Sequence, residues 1–282
     1  MLIFENQIEL NNYLNPLRKE GFSIGFVPTM GALHQGHLSL LRKSVKHNDI
    51  TIISIFVNPT QFNNKEDLEK YPRNLEQDTA KIKSVNKNII IYAPSVEDIY
   101  NQNIASEPFD FDGLEHQMEG KFRPGHFDGV GTIVKKLFEI VRPKNTYFGE
   151  KDYQQTLIVK KLISKHQIRV KLHVCPTLRE ESGLAMSSRN ERLTPEERDR
   201  AKIIYQTLLE AKKIFTEHDH TKAYEYVKEV FQQEPLFELE YFSIADSSTL
   251  IEISKKLKTK RYRAFIAVFV RNIRLIDTIS FY

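Results

Sequence analysis

Seven consecutive residues, Thr51-Ile52-Ile53-Ser54-Ile55-Phe56-Val57, favour β structure with almost no polar alternation. A strand with one wet face alternates apolar and polar side chains, whereas one covered on both faces does not. The run therefore predicts a buried strand of a parallel sheet, and parallel neighbours need helical crossovers. Two further runs, Ser23 to Val27 and Ile89 to Ala93, fit the same description. Between the three lie the amphipathic run Leu38–Val45 and a helix over 74–84, with Asn74 as N-cap and Asp78 as a surface carboxylate. The resulting β-α-β-α-β order is that of a doubly wound sheet.

The rest of the chain extends this reading. A first helix over 6–19 presents Ile8, Tyr13, Leu14 and Leu17 and ends at Gly21. A short helix or lid segment is expected over 66–71. The stretch 119–131 carries four glycines and a proline and is irregular, then leads into a helix with Val130, Ile133, Val134, Leu137, Phe138 and Val141 on one face. Strands at 146–148 and 170–174 enclose a loop, Gly149-Glu150-Lys151-Asp152, and a helix over 153–165.

A polar loop over 177–190 follows, then Thr194-Pro195-Glu196-Glu197, which combines an N-cap, a proline at the first helical position and a capping-box glutamate. That helix is expected to reach Phe215, with another over 221–233. Strands over 238–245, 262–270 and 273–279 close the chain, the last two as an antiparallel hairpin across Arg271-Asn272. The expected fold is α/β: a Rossmann-like parallel sheet with helices on both faces over 1–176, plus a smaller C-terminal α+β domain over 177–282.

Composition excludes some functions. No apolar stretch approaches the roughly 18 residues of a membrane span, and the N-terminus lacks the pattern of a signal peptide. Cys175 is the single cysteine, so no internal disulfide forms, and its apolar surroundings read as core packing. A cytoplasmic location is expected. Net charge is +4, which fits an anionic small substrate and equally an unspecialised surface. The run Lys255, Lys256, Lys258, Lys260, Arg261, Arg263 admits an RNA-binding reading. With little aromatic interleaving it reads rather as a solvated edge, and no nucleic-acid partner is expected.

Chemistry concentrates in Pro28-Thr29-Met30-Gly31-Ala32-Leu33-His34-Gln35-Gly36-His37, between a strand and a helix. A helix N-terminus at the open end of a parallel sheet offers backbone N–H groups and a positive dipole end to an anion. His34 and His37, three apart, can cap that helix or donate to phosphate oxygens. A zinc site would need a further ligand. Asn58 and Gln61 are placed at the end of the second strand by the Pro59 break. Gln61 can cap the following segment or bind a ligand. Gln155 can complete a capping box begun at Asp152, and Lys151 can be a solvated loop lysine. Arg123 and His126 can serve as a structured lid, a subunit contact or a substrate contact.

His-x-Gly-His after a strand resembles the signature of the adenylate-forming nucleotidyltransferases. Added to it are Asn58-Pro59-Thr60-Gln61-Phe62, Tyr71-Pro72-Arg73, Arg123-Pro124-Gly125-His126-Phe127, Gly149-Glu150-Lys151-Asp152-Tyr153-Gln154-Gln155 and Met186-Ser187-Ser188-Arg189-Asn190. In this order and spacing the chain resembles the pantoate–β-alanine ligase family over essentially its whole length. One departure is Arg271-Asn272, where the family usually has glycine.

The resemblance implies ATP-dependent condensation of pantoate with β-alanine to pantothenate through pantoyl adenylate, releasing AMP and pyrophosphate. It implies ATP binding by Met30, Gly31, Ala32, Leu33, His34, Gln35, Gly36 and His37, with both histidines on the phosphates and His37 as proton donor. Gly149, Glu150, Lys151, Asp152, Leu178 (through its backbone), Met186, Ser187, Ser188 and Arg189 complete that set. Met186 to Arg189 stands where the superfamily has its Lys-Met-Ser-Lys-Ser loop; Ala185 and Arg189 replace the lysines, leaving phosphate binding to Arg189, Ser187 and Lys151. Gln61 and Gln155 would hold pantoate, with Gln61 also near β-alanine. Asp152 would help position Mg²⁺, with no tightly bound organic cofactor. A homodimer is implied, and the C-terminal domain would close over the site to exclude water. Two rivals remain: a nucleotidyltransferase joining AMP to a phosphate ester, and an RNA-binding module.

Overall fold

The computed structural model describes residues 1–62, 68–69 and 71–281. Residues 66, 67 and 70 of the short helix or lid segment expected over 66–71 fall outside the described residues. Two compact units are present. The first comprises Met1–Glu150 and Gln155–Pro176, and the second Lys151–Gln154 and Thr177–Tyr282. The turn 151–154, which a single cut at Pro176 would assign to the first unit, belongs to the second.

In the first unit β1 (Ile3–Phe4), β2 (Ile24–Thr29), β3 (Ile50–Ile55), β4 (Ile90–Tyr92), β5 (Asn145–Gly149) and β6 (Lys171–Cys175) form one parallel sheet in the order β1-β4-β3-β2-β5-β6. Ile52 and Ile53 of β3 have no exposed surface, as its unalternating sequence requires. The chain works outward from β2 through β3 to β4, then resumes on the other side of β2 with β5 and β6. The strand order therefore reverses between β2 and β5. In open α/β sheets that reversal opens a crevice at the strands' carboxyl ends, and the loops after β2 and β5 emerge there.

Helices of this unit include α1 (Gln7–Lys19), α2 (Gln35–His47), α3 (Leu75–Val85), α4 (Val96–Tyr100), α5 (Met118–Phe122), α6 (His126–Val141) and α7 (Tyr153–Lys165), whose first two residues fall in the second unit. On α6 the apolar face read from the sequence is buried throughout, and Phe138 meets Phe26 of β2 edge-on at 6.4 Å. The expectation for α1 needs correction. Leu10 and Leu14 face the core, while Ile8 and Tyr13 are exposed. Leu10 and Leu14 lie four apart and stack on one face, which sets the buried stripe. The two-residue strand β1 escapes a periodicity reading because it is too short to show a period.

The second unit contains α8 (Pro195–Arg200), α9 (Lys202–Glu217), α10 (His220–Gln232) and the antiparallel sheet β7 (Glu238–Asp246), β8 (Tyr262–Val270), β9 (Ile273–Ser280). The capping box at Thr194 forms, with Thr194 N–H donating to Glu197 Oε2 at 2.8 Å. The single helix expected from it breaks at Ala201 into α8 and α9. The hairpin pairs Val270 with Ile273 across Arg271-Asn272, without glycine. Arg271 takes the left-handed φ of 53° that glycine would adopt freely. Its guanidinium is held by Glu197 and by the Arg192 carbonyl, contacts that offset the backbone cost of roughly 1–2 kcal/mol.

The basic run of this unit is not a uniform solvated edge. Lys256 donates to the carbonyls of Phe215 and Thr216 at the end of α9, and Lys260 pairs with Asp246. Arg263 is only 5% exposed and stacks 4.0 Å above the Tyr153 ring. Among the described residues no helix is long and apolar enough to cross a membrane.

Candidate functional site

The loop after β2 is fixed by its own surroundings. Thr29 Oγ1 donates to the Ser54 carbonyl at 2.7 Å and accepts from Gly31 N–H, tying the end of β2 to β3. Gly31 and Ala32 then take left-handed φ values of 82° and 50°. This turns the next two N–H groups inward onto Asp78 of α3. Ala32 N–H donates to Oδ2 at 2.9 Å and Leu33 N–H to Oδ1 at 2.8 Å. Asp78 is 2% exposed, which corrects its reading as a surface carboxylate. The Leu33 side chain is 1% exposed and packs in the core. The donors expected to face an anion at Ala32 and Leu33 are thus engaged by the protein's own carboxylate.

His34 is the N-cap of α2, and with His37 it forms an imidazole capping box. Gly36 N–H donates to His34 Nδ1 at 3.1 Å, and His34 N–H points to His37 Nδ1 at 3.4 Å. A ring nitrogen that accepts a hydrogen bond carries no proton, so each neutral imidazole keeps its proton on Nε2. The rings lie 4.1 Å apart at 39°. The pair therefore presents two Nε2–H donors at the start of a helix, beside the reversal of strand order. Gln35 is exposed, and its Oε1 accepts from Arg42.

A second cluster forms where β3 ends. Asn58 is 1% exposed and is its hub, a role the sequence reading does not assign. Asn58 Oδ1 accepts from Tyr100 OH at 2.6 Å and from Thr60 Oγ1 at 3.2 Å. Its Nδ2 is thereby left to donate, and does so to Gln61 Oε1 at 3.2 Å and to the Gly129 carbonyl at 3.1 Å. Burial pushes the Tyr100 phenol above its ordinary pKa, more than its bonds to Thr60 and Asn58 lower it, so the hydroxyl stays a donor.

With Oε1 occupied, the Gln61 amide turns Nε2 toward Met30 Sδ at 2.9 Å. This brings Met30 and Gln61 of the expected set together. From the other side His126 Nδ1 (3.0 Å) and Arg123 (3.3 Å) donate to the Gln61 carbonyl, and Arg123 also donates to His126 Nε2. Arg123 and His126 thus brace the Gln61 backbone. Gly129 allows the approach: a Cβ there would lie 2.5 Å from the Thr60 carbonyl oxygen and 2.8 Å from Gln61 Cα.

Gln155, on α7 and in the first unit, is half-buried. Gly149 ends β5, and Glu150–Asp152 make one tight turn. In the second unit Lys151 Nζ lies 3.2 Å from the Asp152 carboxylate. Tyr153 anchors this turn by donating to the Ser247 carbonyl at 2.9 Å.

The segment 177–190 is a loop, as expected, and tertiary contacts brace it. Arg179 and Ala185 form an antiparallel bridge, and Met186 N–H donates to the Leu178 carbonyl at 3.0 Å. Arg179 grips buried Asp277 through both terminal nitrogens, donates to the Gly183 carbonyl, and stacks 3.7 Å above Tyr205. Asn190, 2% exposed, donates to the Ala185 carbonyl and to Glu180, which Arg198 also holds. Met186, Ser187, Ser188 and Arg189 are half-buried on this support, and Ser187 Oγ accepts from Arg189 N–H. Cys175 is 4% exposed, and burial raises its thiol pKa, more than nearby Lys43 lowers it; it is a packed core residue.

Among the described residues no three His, Cys, Asp or Glu side chains converge as for a metal ion. The nearest fit is Asp152, whose half-exposed carboxylate offers one hard oxygen donor. A magnesium ion, as a hard cation, would accept such a donor.

Comparison with known proteins points to one family. The family model for pantoate–β-alanine ligases matches residues 2–280. The chain is 61% identical over 280 residues to the pantothenate synthetase of Flavobacterium psychrophilum, covering 99% of both sequences. The crystal structure of pantothenate synthetase from Thermus thermophilus superposes with a TM-score of 0.91 at 37% identity, over 100% of both chains. That of pantoate–β-alanine ligase from Francisella tularensis, complexed with β-γ ATP and β-alanine, gives 0.82 at 38% identity, over 100% of this chain and 98% of the other.

Proposed function

The chain belongs to the pantoate–β-alanine ligase family and is a ligase, and from that premise we propose that it joins pantoate to β-alanine through a pantoyl adenylate. In the first half-reaction a pantoate carboxylate oxygen attacks the α-phosphorus of ATP, and the bond to the bridging oxygen breaks as pyrophosphate leaves. In the second, the amine of β-alanine attacks the acyl carbon, the acyl–oxygen bond breaks, and AMP leaves as the nitrogen sheds a proton. Both reactants of the first step are anions. Catalysis there consists of neutralising their repulsion and aligning the attack.

The observation that carries this reading is the histidine pair. Backbone N–H groups occupy or face both Nδ1 atoms, so His34 and His37 present Nε2–H donors to phosphate oxygens. Met30 to His37 bind the nucleotide in this reading. Lys151 and Arg189 add positive charge on the phosphates, with Gly149, Glu150, Asp152, Leu178, Met186, Ser187 and Ser188 completing the site. Gln61 holds pantoate and lies near β-alanine. An amide nitrogen carries two N–H groups, and Met30 engages one. Gln155 holds pantoate as well. Asp152 would help position a magnesium ion carried with ATP, which would screen the phosphate charge. The reading includes a cytoplasmic homodimer.

Pantoate-dependent ATP:pyrophosphate exchange in the absence of β-alanine tests the first half-reaction. Exchange is expected with ATP, magnesium and pantoate alone. Exchange that ignores pantoate, or none at all, sinks the adenylate.

A further inference from the structure

Two residues of α3 hold the peptide that leads into the histidine pair, though neither belongs to a motif read from the sequence. Asp78 accepts the consecutive N–H groups of Ala32 and Leu33, one on each carboxylate oxygen. Lys81, three residues on and on the same helix face, donates to the Leu33 carbonyl at 2.6 Å. Leu33 is thus gripped at both backbone groups, and the following residue is His34.

The conformation held is not one the loop takes on its own. A left-handed alanine costs roughly 1–2 kcal/mol, and Ala32 has a φ of 50°. The preceding Gly31 sits at φ 82°, and a Cβ there would press on both Asp78 Oδ2 and Ile55 Cγ2 at 3.0 Å. Successive N–H groups in such a turn form a concavity that attracts an anion. Here the anion is internal, buried and supplied by a helix that Asn74 caps through Gln77 N–H at 3.0 Å. If that carboxylate is lost, nothing among these contacts favours Ala32 at positive φ. The N-cap geometry of His34, and through it the placing of His37, relaxes.

We propose that Asp78, assisted by Lys81, is a positioning residue for nucleotide activation: it sets the Gly31–Leu33 turn so that His34 and His37 meet the phosphates. The proposal rests on the reading that those histidines act on ATP.

The test is a double-mutant cycle read by pantoate-dependent ATP:pyrophosphate exchange. Asp78→Asn replaces one acceptor oxygen with a donor aimed at a donor. It is expected to lower the exchange rate constant about 10- to 100-fold, the scale of loss when a catalytic group is slightly misplaced. The ATP KM is expected to rise while the pantoate KM holds. In a background carrying both His34→Gln and His37→Gln the same change should have little further effect, because its targets are already gone. Lys81→Met, a milder change, should move the same constants the same way by a smaller factor, and it serves if Asp78→Asn does not fold.

Losses that multiply in full across the cycle overturn the proposal. So does a folded Asp78→Asn or Lys81→Met protein with unchanged constants, or one whose KM values all stay fixed while only the active fraction drops. If His34→Gln and His37→Gln themselves leave exchange intact, the histidine reading has failed and the positioning role falls with it. Impaired histidine variants beside a normal Asp78→Asn protein would locate the error in the positioning role alone.

Discussion

At the scale of single residues, hydrogen-bond direction decides what the site can present. Tyr100 is a phenol with no proposed substrate role, yet its proton sets the Asn58 amide, which in turn sets the Gln61 amide. Tyr100→Phe removes that proton from a buried acceptor, at a cost of about 1 kcal/mol. Expressed in binding, this is about a fivefold rise in the pantoate KM with the ATP KM unchanged. Steady-state kinetics with each substrate varied would check it, and equal movement of both constants would contradict the chain of amides. Asn58 is visible in the sequence as a polar residue at a strand end, and Gln61 through its motif. The link from Tyr100 to them is not visible, because 42 residues separate Tyr100 from Asn58 and only the fold brings them together. The surface reading of Asp78 fails for a similar reason. A carboxylate in the first turns of a helix is usually wet, and nothing local signals that another loop's backbone covers it.

At the scale of elements, the approach of α6 to the Pro59–Gln61 turn is the tightest constraint on the pantoate side. In a helix, glycine to alanine gains about 1 kcal/mol of propensity. At Gly129 the new Cβ would meet backbone atoms of Thr60 and Gln61 at 2.5 and 2.8 Å, which cannot swing aside as a side-chain tip can. Overpacking of that kind costs about 1–3 kcal/mol, so the clash wins. Gly129→Ala is expected to lower the denaturation midpoint of the first unit and to reduce pantoate-dependent exchange. An alanine variant that is more stable and fully active would mean that α6 can retreat without moving Gln61. The long elements are legible from sequence because α6 repeats its period several times and β8 is an unbroken run of mostly apolar residues. The bracing of the turn over 179–185 is not, since it depends on tertiary partners: Asp277 for Arg179, and Arg198 and Asn190 for Glu180.

At the scale of the molecule, acid should weaken the two units differently. For Asp246, burial raises the carboxyl pKa, but bonds from Ser248, Lys260 and Thr249 outweigh it and hold the group below its ordinary range. For Glu180, burial likewise raises and Arg198 and Asn190 lower, with a net decrease. A folded pKa below the unfolded one adds stability that is full above the unfolded value, about 4 for these groups, and fades as pH falls through the folded value. The shifted carboxylates of the first unit, Asp49, Asp110 and Asp112, are bonded at the surface, where water and salt screen them. Below about pH 4, hydrogen exchange is expected to open the second unit first. Asp246→Asn and Glu180→Gln should flatten that response, and faster opening of the first unit would refute it.

The second unit also recruits Lys151–Gln154 from the middle of the other, so the chain crosses between units three times, at 150–151, 154–155 and 176–177. The C-terminal region is therefore not a transferable cassette. A chimera spliced only at Pro176 would pair Ser247 and Arg263 of one parent with Tyr153 of another, so viable exchange between relatives needs three matched breakpoints rather than one. That binds the inheritance of a four-residue turn to a segment of more than a hundred residues with which it shares no stretch of sequence.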